Sequence, residues 1–184
     1  MNAIDLLTAQ HQELLELSNA LTGAAGDPRG TPKGRNRTAQ RLVMAGSRHE
    51  AIEEQWFWPA VRELDGGAPL ALAGLEQEQT LRNLLDEIDH MKAGNVRFTT
   101  AIFVAASRIR DHVTYEESQI LPKLQLAVSE EDLERIGTRL QVAWHLAPTR
   151  PHPKTPADAR LLKSVGPPIA AVDRALDALT GRGR

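Results

Sequence analysis

Two segments of the sequence present a histidine and a glutamate at the same separation. His112 and Glu116 lie four residues apart in RIRDHVTYEESQILPKL, and His49 and Glu53 lie four apart in SRHEAIEEQWFWPAV. In an α-helix, residues i and i+4 project from the same face, so each pair presents an imidazole together with a carboxylate. One such pair is common by chance, but each copy here is followed by an apolar run that ends in proline. The repetition predicts two metal-binding motifs.

The side chains that are available limit which metal these motifs would bind. The chain has no cysteine, which excludes thiolate metal sites, disulfides and cysteine nucleophiles. Imidazole and carboxylate ligands suit non-haem iron or manganese, with zinc as a further option. Hydrolytic zinc chemistry is disfavoured because the sequence has no H-E-x-x-H motif, and it also has no G-x-S-x-G nucleophile elbow.

The overall composition is that of one domain without a strong charge. The 184 residues include 22 Lys and Arg against 24 Asp and Glu. No basic stripe alternates with aromatic residues, so we expect no nucleic-acid partner. The first residues lack the layout of a secretion signal, and no apolar run is long enough to cross a bilayer. We therefore expect a cytoplasmic protein that does not contact a membrane.

Helical periodicity predicts four long helices that would position the motifs. They are expected to cover residues 3–21, 38–63, 70–92 and 96–124. Residues 23–36, rich in Gly, Pro and basic residues, predict a mobile loop between the first two helices. Pro59 is expected to kink or end the second helix, on which Glu50 and Glu54 lie off the apolar face and should be solvated. No strand alternation is present, so the prediction is an all-α, up-down four-helix bundle with additional C-terminal helical segments.

Other polar residues interrupt the apolar faces of these helices. His11 lies in line with leucines on the first helix, where it would be either a hydrogen-bonded core residue or a ligand. Glu78 lies between leucines on the third helix, where it either joins a metal site or meets water and pairs with Arg82. Tyr115 flanks the face of His112 and would either hydrogen-bond a ligand or seal the core.

The predicted bundle would bring these polar positions together in its interior. Burying a carboxylate costs several kcal/mol unless it is paired or metal-bound, so a shared metal explains the set economically. The six candidate ligands are His11, His49, Glu53, Glu78, His112 and Glu116. Six are too many for one catalytic ion but suit two ions that carboxylates bridge, as in the cores of other helix bundles.

The remainder of the chain is expected to add helical segments to the bundle. Ser129 and the three acids that follow it predict the start of a fifth helix, which would reach His145. Residues 147–156 are rich in proline and predict an extended arm, and residues 168–180 predict an amphipathic helix. The Gly-Arg-Gly-Arg terminus is expected to fray. We therefore divide the chain into a bundle, residues 1–147, and an arm with a helix that packs on it, residues 148–184.

The order of the candidate ligands resembles that of the hemerythrin-like, or HHE cation-binding, family. The resemblance covers about Ala3 to Leu124 and includes the ending E-E-x-x-x-x-P after both His–Glu pairs. It implies an up-down bundle that holds two non-haem iron ions, joined by an oxo or hydroxo bridge, with manganese as the alternative metal. By the same resemblance, Glu53 and Glu116 would be the bridging carboxylates.

The third helix departs from the family pattern. Members of the family carry a histidine there, in a setting like E-x-H-x-x-x-R-x-L-L, whereas this chain reads LEQEQTLRNLL and has Glu78 at that place. We favour Glu78 as a ligand; otherwise one iron is under-coordinated on that side, where His145 or Tyr115 could supply a further contact. His90 lies too far along the helix to substitute, about 18 Å away at ~1.5 Å per residue.

The additional carboxylate favours some functions over others. An anionic ligand in place of imidazole stabilises the ferric state and lowers the reduction potential. We therefore expect a di-iron site that reacts with O2, peroxide or NO, with catalase-like turnover as its enzymatic form and a diatomic molecule or peroxide as its partner. The alternatives are a non-enzymatic sensor or store for O2, NO or iron, and a structural bundle whose histidines bind no metal.

Overall fold

The computed structural model describes residues 1–23, 31–155 and 159–182, with the backbone alone for residues 159–162. Its α-helices are α1 (Ala3–Gly23), α2 (Pro32–Ile52), α3 (Trp58–Arg62), α4 (Gly67–Asp89), α5 (Val96–Tyr115), α6 (Leu121–Ala127), α7 (Glu130–Leu146) and α8 (Ala159–Thr180). Two π-helical turns, Glu53–Phe57 and Glu116–Ile120, join α2 to α3 and α5 to α6. The described residues contain no strand, so the all-α prediction is confirmed.

Four helices form the bundle predicted from the sequence. Helix α1 packs against α2 and α5, and α4 packs against the same two helices from the opposite side. The buried apolar residues form two clusters inside this ring. One contains Leu14, Leu42, Leu85 and Ile102, and the other contains Leu7, Phe57, Trp58, Ile120 and Leu124. A layer of polar residues therefore lies between two apolar ends of the core.

Helix α2 begins six residues earlier than the sequence analysis predicts. Thr31 caps it, since its hydroxyl accepts a hydrogen bond of 3.1 Å from the backbone N–H of Gly34, and Pro32 occupies the first helical position. Proline is favoured there because its missing N–H would have no partner in the first turn. The predicted loop over residues 23–36 is therefore wrong for 32–36, and its residues 24–30 lie outside the described part of the chain.

The two prolines after the His–Glu motifs widen the helices instead of ending them. The backbone N–H of Trp58 donates to the carbonyl of Glu53, and that of Leu121 donates to the carbonyl of Glu116, each across five residues. Because Pro59 and Pro122 have no N–H, the chain accommodates each proline through a π-turn just before it. Both π-turns begin at the glutamate of a His–Glu motif, and such turns are frequent at functional sites.

The C-terminal segments pack on one side of the bundle. Ser129 caps α7 as predicted, with its hydroxyl accepting from the N–H of Asp132. Helix α8 begins at Ala159, nine residues before the predicted start, and carries two consecutive prolines within it. It packs against α7 and the π-turn Glu53–Phe57. The prediction of a frayed terminus is wrong for Arg182, which is 8% exposed and donates to Asp89 over 2.7 Å; residues 183–184 lie outside the described chain.

Candidate metal centre

All six candidate ligands lie buried in the polar layer between the two apolar clusters. His11 precedes Leu14 and follows Leu7, which belong to different clusters, so α1 places its imidazole between them. The exposed fractions of the candidates are 0 to 2%. The candidates are His11 on α1, His49 on α2, Glu53 and Glu116 at the starts of the π-turns, Glu78 on α4 and His112 on α5. Every helix of the bundle thus contributes at least one.

The candidate ligand atoms form two groups that share two carboxylates. His11 and His49 offer nitrogen atoms that lie within 4.8 Å of carboxylate oxygens of Glu53 and Glu116 and of each other. Within the same limit, Glu78 and His112 form a second group with these two carboxylates. Because Glu53 and Glu116 belong to both groups, the arrangement suits two adjacent cations with two bridging carboxylates.

Many of the inward-facing polar atoms lack a hydrogen-bond partner. These buried atoms are Nε2 of His49, both ring nitrogens of His112, both carboxylate oxygens of Glu53, Oε2 of Glu78 and Oε1 of Glu116. A buried polar atom without a partner costs about 1–3 kcal/mol, so a native core rarely gathers this many in one place. Nitrogen and oxygen atoms that face one another across a few ångströms fit cations as their partners.

Two residues that the sequence analysis missed orient the histidines. Gln10 Oε1 lies 3.0 Å from Nδ1 of His49, so that nitrogen donates and Nε2 keeps its lone pair toward the cluster. Glu117 Oε1 lies 2.9 Å from Nδ1 of His11. The second glutamate of each E-E-x-x-x-x-P motif was the available signal for Glu117, whereas nothing in the sequence marks Gln10.

Glu78 does not meet water, although it lies near Arg82 as one interpretation expected. It is fully buried and belongs to the second ligand group, and its Oε2 is 4.0 Å from Nη2 of Arg82. The indole N–H of Trp58, which is 1% exposed, donates to the other carboxylate oxygen. Trp58 thereby fixes one oxygen of Glu78 and leaves the second for the centre.

The expectation that Glu50 and Glu54 are solvated is wrong. They are 3% and 5% exposed, and both pair with Arg82: Nε lies 3.2 Å from Glu50 Oε2, and Nη2 donates to Glu54. The reason is that residues of the arm and of α8 face Glu50 and Glu54, which a four-helix bundle alone would leave exposed. Arg82 therefore connects the outer carboxylates with Glu78.

Burial controls the protonation of this layer in the absence of a metal. Burial, with the charges of the other two histidines, lowers the pKa of His49 well below 6.5, so its imidazole is neutral. Burial also raises the pKa of Glu53 well above 4.5, and the neighbouring carboxylates of Glu116 and Glu78 raise it further. Burial would raise the pKa of Glu116 as well, but the nearby histidines outweigh burial and lower this pKa. A cation would remove the repulsion that keeps Glu53 protonated.

The structure does not bring the two tentative extra ligands to the cluster. The hydroxyl of Tyr115 donates to the carbonyl of Leu70 over 2.8 Å, so it links α5 to the start of α4. His145 is exposed near the end of α7. His90, already excluded by its distance along the helix, is also exposed.

Comparison with known proteins identifies the family. A sequence model of the hemerythrin HHE cation-binding domain matches residues 2–124. The chain belongs to this family. The matched region ends within α6, so the hemerythrin HHE domain contains all six candidate ligands, whereas α7, the arm and α8 lie beyond it.

Similar proteins agree with this assignment. A hemerythrin-like protein of Schizosaccharomyces pombe is 23% identical over 145 residues, which cover 78% of this chain and 71% of that protein. The crystal structure of a hemerythrin HHE cation-binding domain-containing protein from Mycobacterium kansasii superposes with a TM-score of 0.66 at 15% identity, covering 79% of this chain and 86% of that one. This structural likeness confirms the fold. Among the described helices, none is long and apolar enough to be a membrane span.

Proposed function

We propose that this hemerythrin HHE protein holds two non-haem iron ions and reacts through them with O2, hydrogen peroxide or NO, with catalase-like turnover as its enzymatic activity. The observation that carries the proposal is the pair of ligand groups that share Glu53 and Glu116. Two cations in a single buried layer would give most of the unpartnered nitrogen and oxygen atoms a partner, including one ring nitrogen of His112. Iron fits a donor set of imidazoles and carboxylates without sulfur, and manganese is the alternative.

The residues have distinct tasks in this proposal. Glu53 and Glu116 would bridge the ions, His11 and His49 would complete one coordination sphere, and His112 and Glu78 the other. When bound, the ions would supply Lewis acidity and redox equivalents for the reaction.

Two features of the surrounding chain support a redox role. Glu78 adds a negative charge where the family carries a neutral imidazole, which stabilises the oxidised metal and favours turnover over reversible O2 binding. The apolar clusters on both sides exclude bulk water from the layer, which protects a reactive centre from side reactions.

Metal analysis and peroxide turnover test the proposal together. We expect about two iron ions per chain in the purified protein, in keeping with two bridged ligand groups. His112→Ala and Glu116→Ala should each lose at least one of them, since each removes a ligand. Hydrogen peroxide added to the iron-loaded protein should release O2 faster than free iron does. A protein that neither contains nor takes up metal would refute the di-iron site, and turnover no faster than that of free iron would refute the enzymatic form.

A second function, binding of O2 or NO without turnover, is favoured by an apolar cavity beside the centre. Apolar side chains, mainly leucines, make up most of its lining, which also includes His49, His112 and Glu50. Its water-accessible volume is about 10 Å³, so an apolar gas would enter only if the leucine side chains that line the cavity moved aside. A persistent spectrum of the oxygenated protein, with slow autoxidation and no peroxide turnover, would decide for this function.

A further inference from the structure

A second cavity lies between the bundle and the C-terminal segments, on the outer side of Arg82. Its bundle wall consists of Ser47, Glu50, Glu54 and Arg82, and its outer wall includes His152 of the arm, together with residues of α8. We call this cavity the vestibule. The mostly apolar cavity beside His49 shares Glu50 with the vestibule, but only the vestibule is also lined by Ser47, Glu54 and Arg82. The outer wall lies in the part of the chain beyond the hemerythrin HHE match.

The vestibule has room and unsatisfied partners for a small polar molecule. Its water-accessible volume is about 30 Å³, roughly two water molecules at 10–15 Å³ each. Two residues of the wall, which are 3% and 6% exposed, each have one buried side-chain oxygen without a hydrogen-bond partner: Oε1 of Glu50 and Oγ of Ser47. Burying such atoms without a partner is costly, so this space is built for a guest that both donates and accepts hydrogen bonds.

Arg82 is the boundary between the vestibule and the metal layer. Its guanidinium pairs with Glu50 and Glu54 on the vestibule side, and the same Nη2 that donates to Glu54 lies 4.0 Å from Oε2 of Glu78. Glu78 belongs to the ligand group that includes Glu53. One side chain therefore separates the polar cavity from a candidate metal ligand.

A network of hydrogen bonds holds the outer wall in place. Asp173 on α8 accepts from the backbone N–H groups of Thr149 and Arg150, over 3.0 and 3.1 Å, and its Oδ2 lies 3.1 Å from Nε2 of His152. Asp177, one turn later, pairs with the guanidinium of Arg150 over 2.8 Å. The arm is thus fixed over the vestibule and forms a defined wall.

We propose that the vestibule is a binding and access site for a small polar ligand, hydrogen peroxide or water, on the Glu78 side of the metal centre. Hydrogen peroxide is close to water in size and offers both donors and acceptors, which matches the walls of the vestibule. O2 has no donor and is a poor acceptor, so it gains little from these polar walls. The proposal rests on the proposed di-iron function and names peroxide as the substrate that this chain's polar route selects.

Gly166 allows the vestibule to be narrowed from its outer wall. A Cβ atom at this position would lie 3.6 Å from Nε2 of Gln55, in ordinary contact, and both residues line the cavity. Gly166→Leu should therefore place its side chain in the space. The matched control is Ala171→Leu, which adds the same side chain at an exposed position of the same helix.

Stopped-flow mixing of the iron-loaded variants with hydrogen peroxide or O2 tests the access role of the vestibule separately from the di-iron function. Gly166→Leu should slow the spectral response to hydrogen peroxide by about tenfold, a rise of about 1.4 kcal/mol in the barrier, with Ala171→Leu at the parental rate. The response of the reduced protein to O2 should not change. If the peroxide rate is unchanged at parental iron content, or if the reactions with peroxide and with O2 slow equally, the vestibule is not the access site. Either result would leave the di-iron function intact.

A crystal structure of the metal-free parent gives a test that needs neither iron nor a variant. We expect ordered water within hydrogen-bond distance of Oε1 of Glu50 and Oγ of Ser47. A dry vestibule at a resolution that shows other buried waters would overturn the proposal, even if Gly166→Leu did not fold. Failure of the di-iron function would instead appear as absent metal in a protein whose vestibule still holds water.

Discussion

His11 is held between two consecutive glutamates of the same π-turn. Its Nε2 lies 2.9 Å from Oε2 of Glu116, and its Nδ1 lies 2.9 Å from Oε1 of Glu117. A π-turn widens the helix, so two adjacent residues can both face α1. If Nε2 binds a metal, Nδ1–H still donates to Glu117, and this carboxylate orients the ring and makes it a better ligand.

Glu117→Ala should therefore weaken metal binding without removing a ligand. Loss of such an outer carboxylate lowers metal affinity by about 10–100-fold in comparable sites. Competition with a chelator measures the affinity, and Glu16→Ala, exposed on the same helix as His11, is the control. Equal affinities for the parent and both variants would mean that Glu117 does not act through His11.

Glu78 occupies the position where the sequence resemblance implies a histidine. Glu78→His restores a neutral ligand at the same place on α4 and should raise the reduction potential of the centre, because it removes a negative charge from the ligand set. The spectrum of the oxygenated protein should then persist longer than in the parent, and peroxide turnover should fall. Potentiometric titration and absorption spectra measure both changes. An unchanged potential and spectrum would show that Glu78 does not contact a metal.

Gly74 makes room for the tryptophan that supports Glu78. A Cβ atom at Gly74 would lie 2.2 Å from Cη2 of Trp58, a ring that is 1% exposed. Gly74→Ala must displace this ring, and overpacking of a core costs about 1–3 kcal/mol. The helical preference of alanine offsets about 1 kcal/mol of that cost. We expect a net loss of unfolding free energy in urea.

Gly23 provides the control for this substitution. A Cβ atom there meets nothing within 4 Å, so Gly23→Ala at the end of α1 should not destabilise the protein. Since Trp58 donates to Glu78, Gly74→Ala should also weaken metal binding, which Gly23→Ala should leave unchanged. A stable Gly74→Ala variant with parental metal affinity would show that Trp58 can move without disturbing Glu78.

The sequence was sufficient to predict which side chains gather in the polar layer because helical spacing is a local property. The separation of His49 from Glu53 fixes a shared helix face, and leucines one turn from His11 and Glu78 mark buried positions. The described structure brings all of these side chains into one layer. Local sequence signals were therefore enough to predict the four bundle helices and the set of candidate ligands.

The sequence was insufficient where a contact depends on how distant segments meet. Gln10 reaches His49 across a helix interface, and no sequence signal gives that distance. Glu50 and Glu54 were expected in water because α8 was not expected to cover them. Helix α8 was itself predicted too short, since two prolines inside a helix usually break it and here they do not. Tertiary packing decided each of these cases.

Protonation of the buried carboxylates should make the stability of the metal-free protein fall as the pH rises from 6.5 toward the folded-state pKa of Glu50, about 8. Burial raises the pKa of Glu50 to about 8 despite the attraction of Arg82, and burial together with neighbouring carboxylates also raises those of Glu53 and Glu78. The folded protein then holds protons that the unfolded chain has lost above 4.5, so each of these groups makes stability fall as the pH rises.

The histidines confine this effect to a window above pH 6.5. Burial lowers the pKa values of His49 and His112, so they add stability as the pH rises, but only until the unfolded chain loses its imidazolium protons near 6.5. Burial alone would lower the pKa of His11, but Glu116 and Glu117 outweigh it and raise this pKa. The stability that His11 contributes therefore falls as the pH rises, as it does for the carboxylates.

Urea unfolding in the presence of a chelator at pH 6.5 and pH 8 tests this expectation. The parent should lose on the order of 1 kcal/mol per pH unit for each carboxyl that stays protonated. Glu50→Gln cannot ionise and should lose less, whereas Glu87→Gln, exposed on α4, should follow the parent. Iron loading should reverse the trend, because the ligands bind metal in their deprotonated forms and affinity rises with pH. A metal-free parent that is equally stable at both pH values would show that these carboxyls ionise freely inside the bundle, which its dry surroundings should prevent.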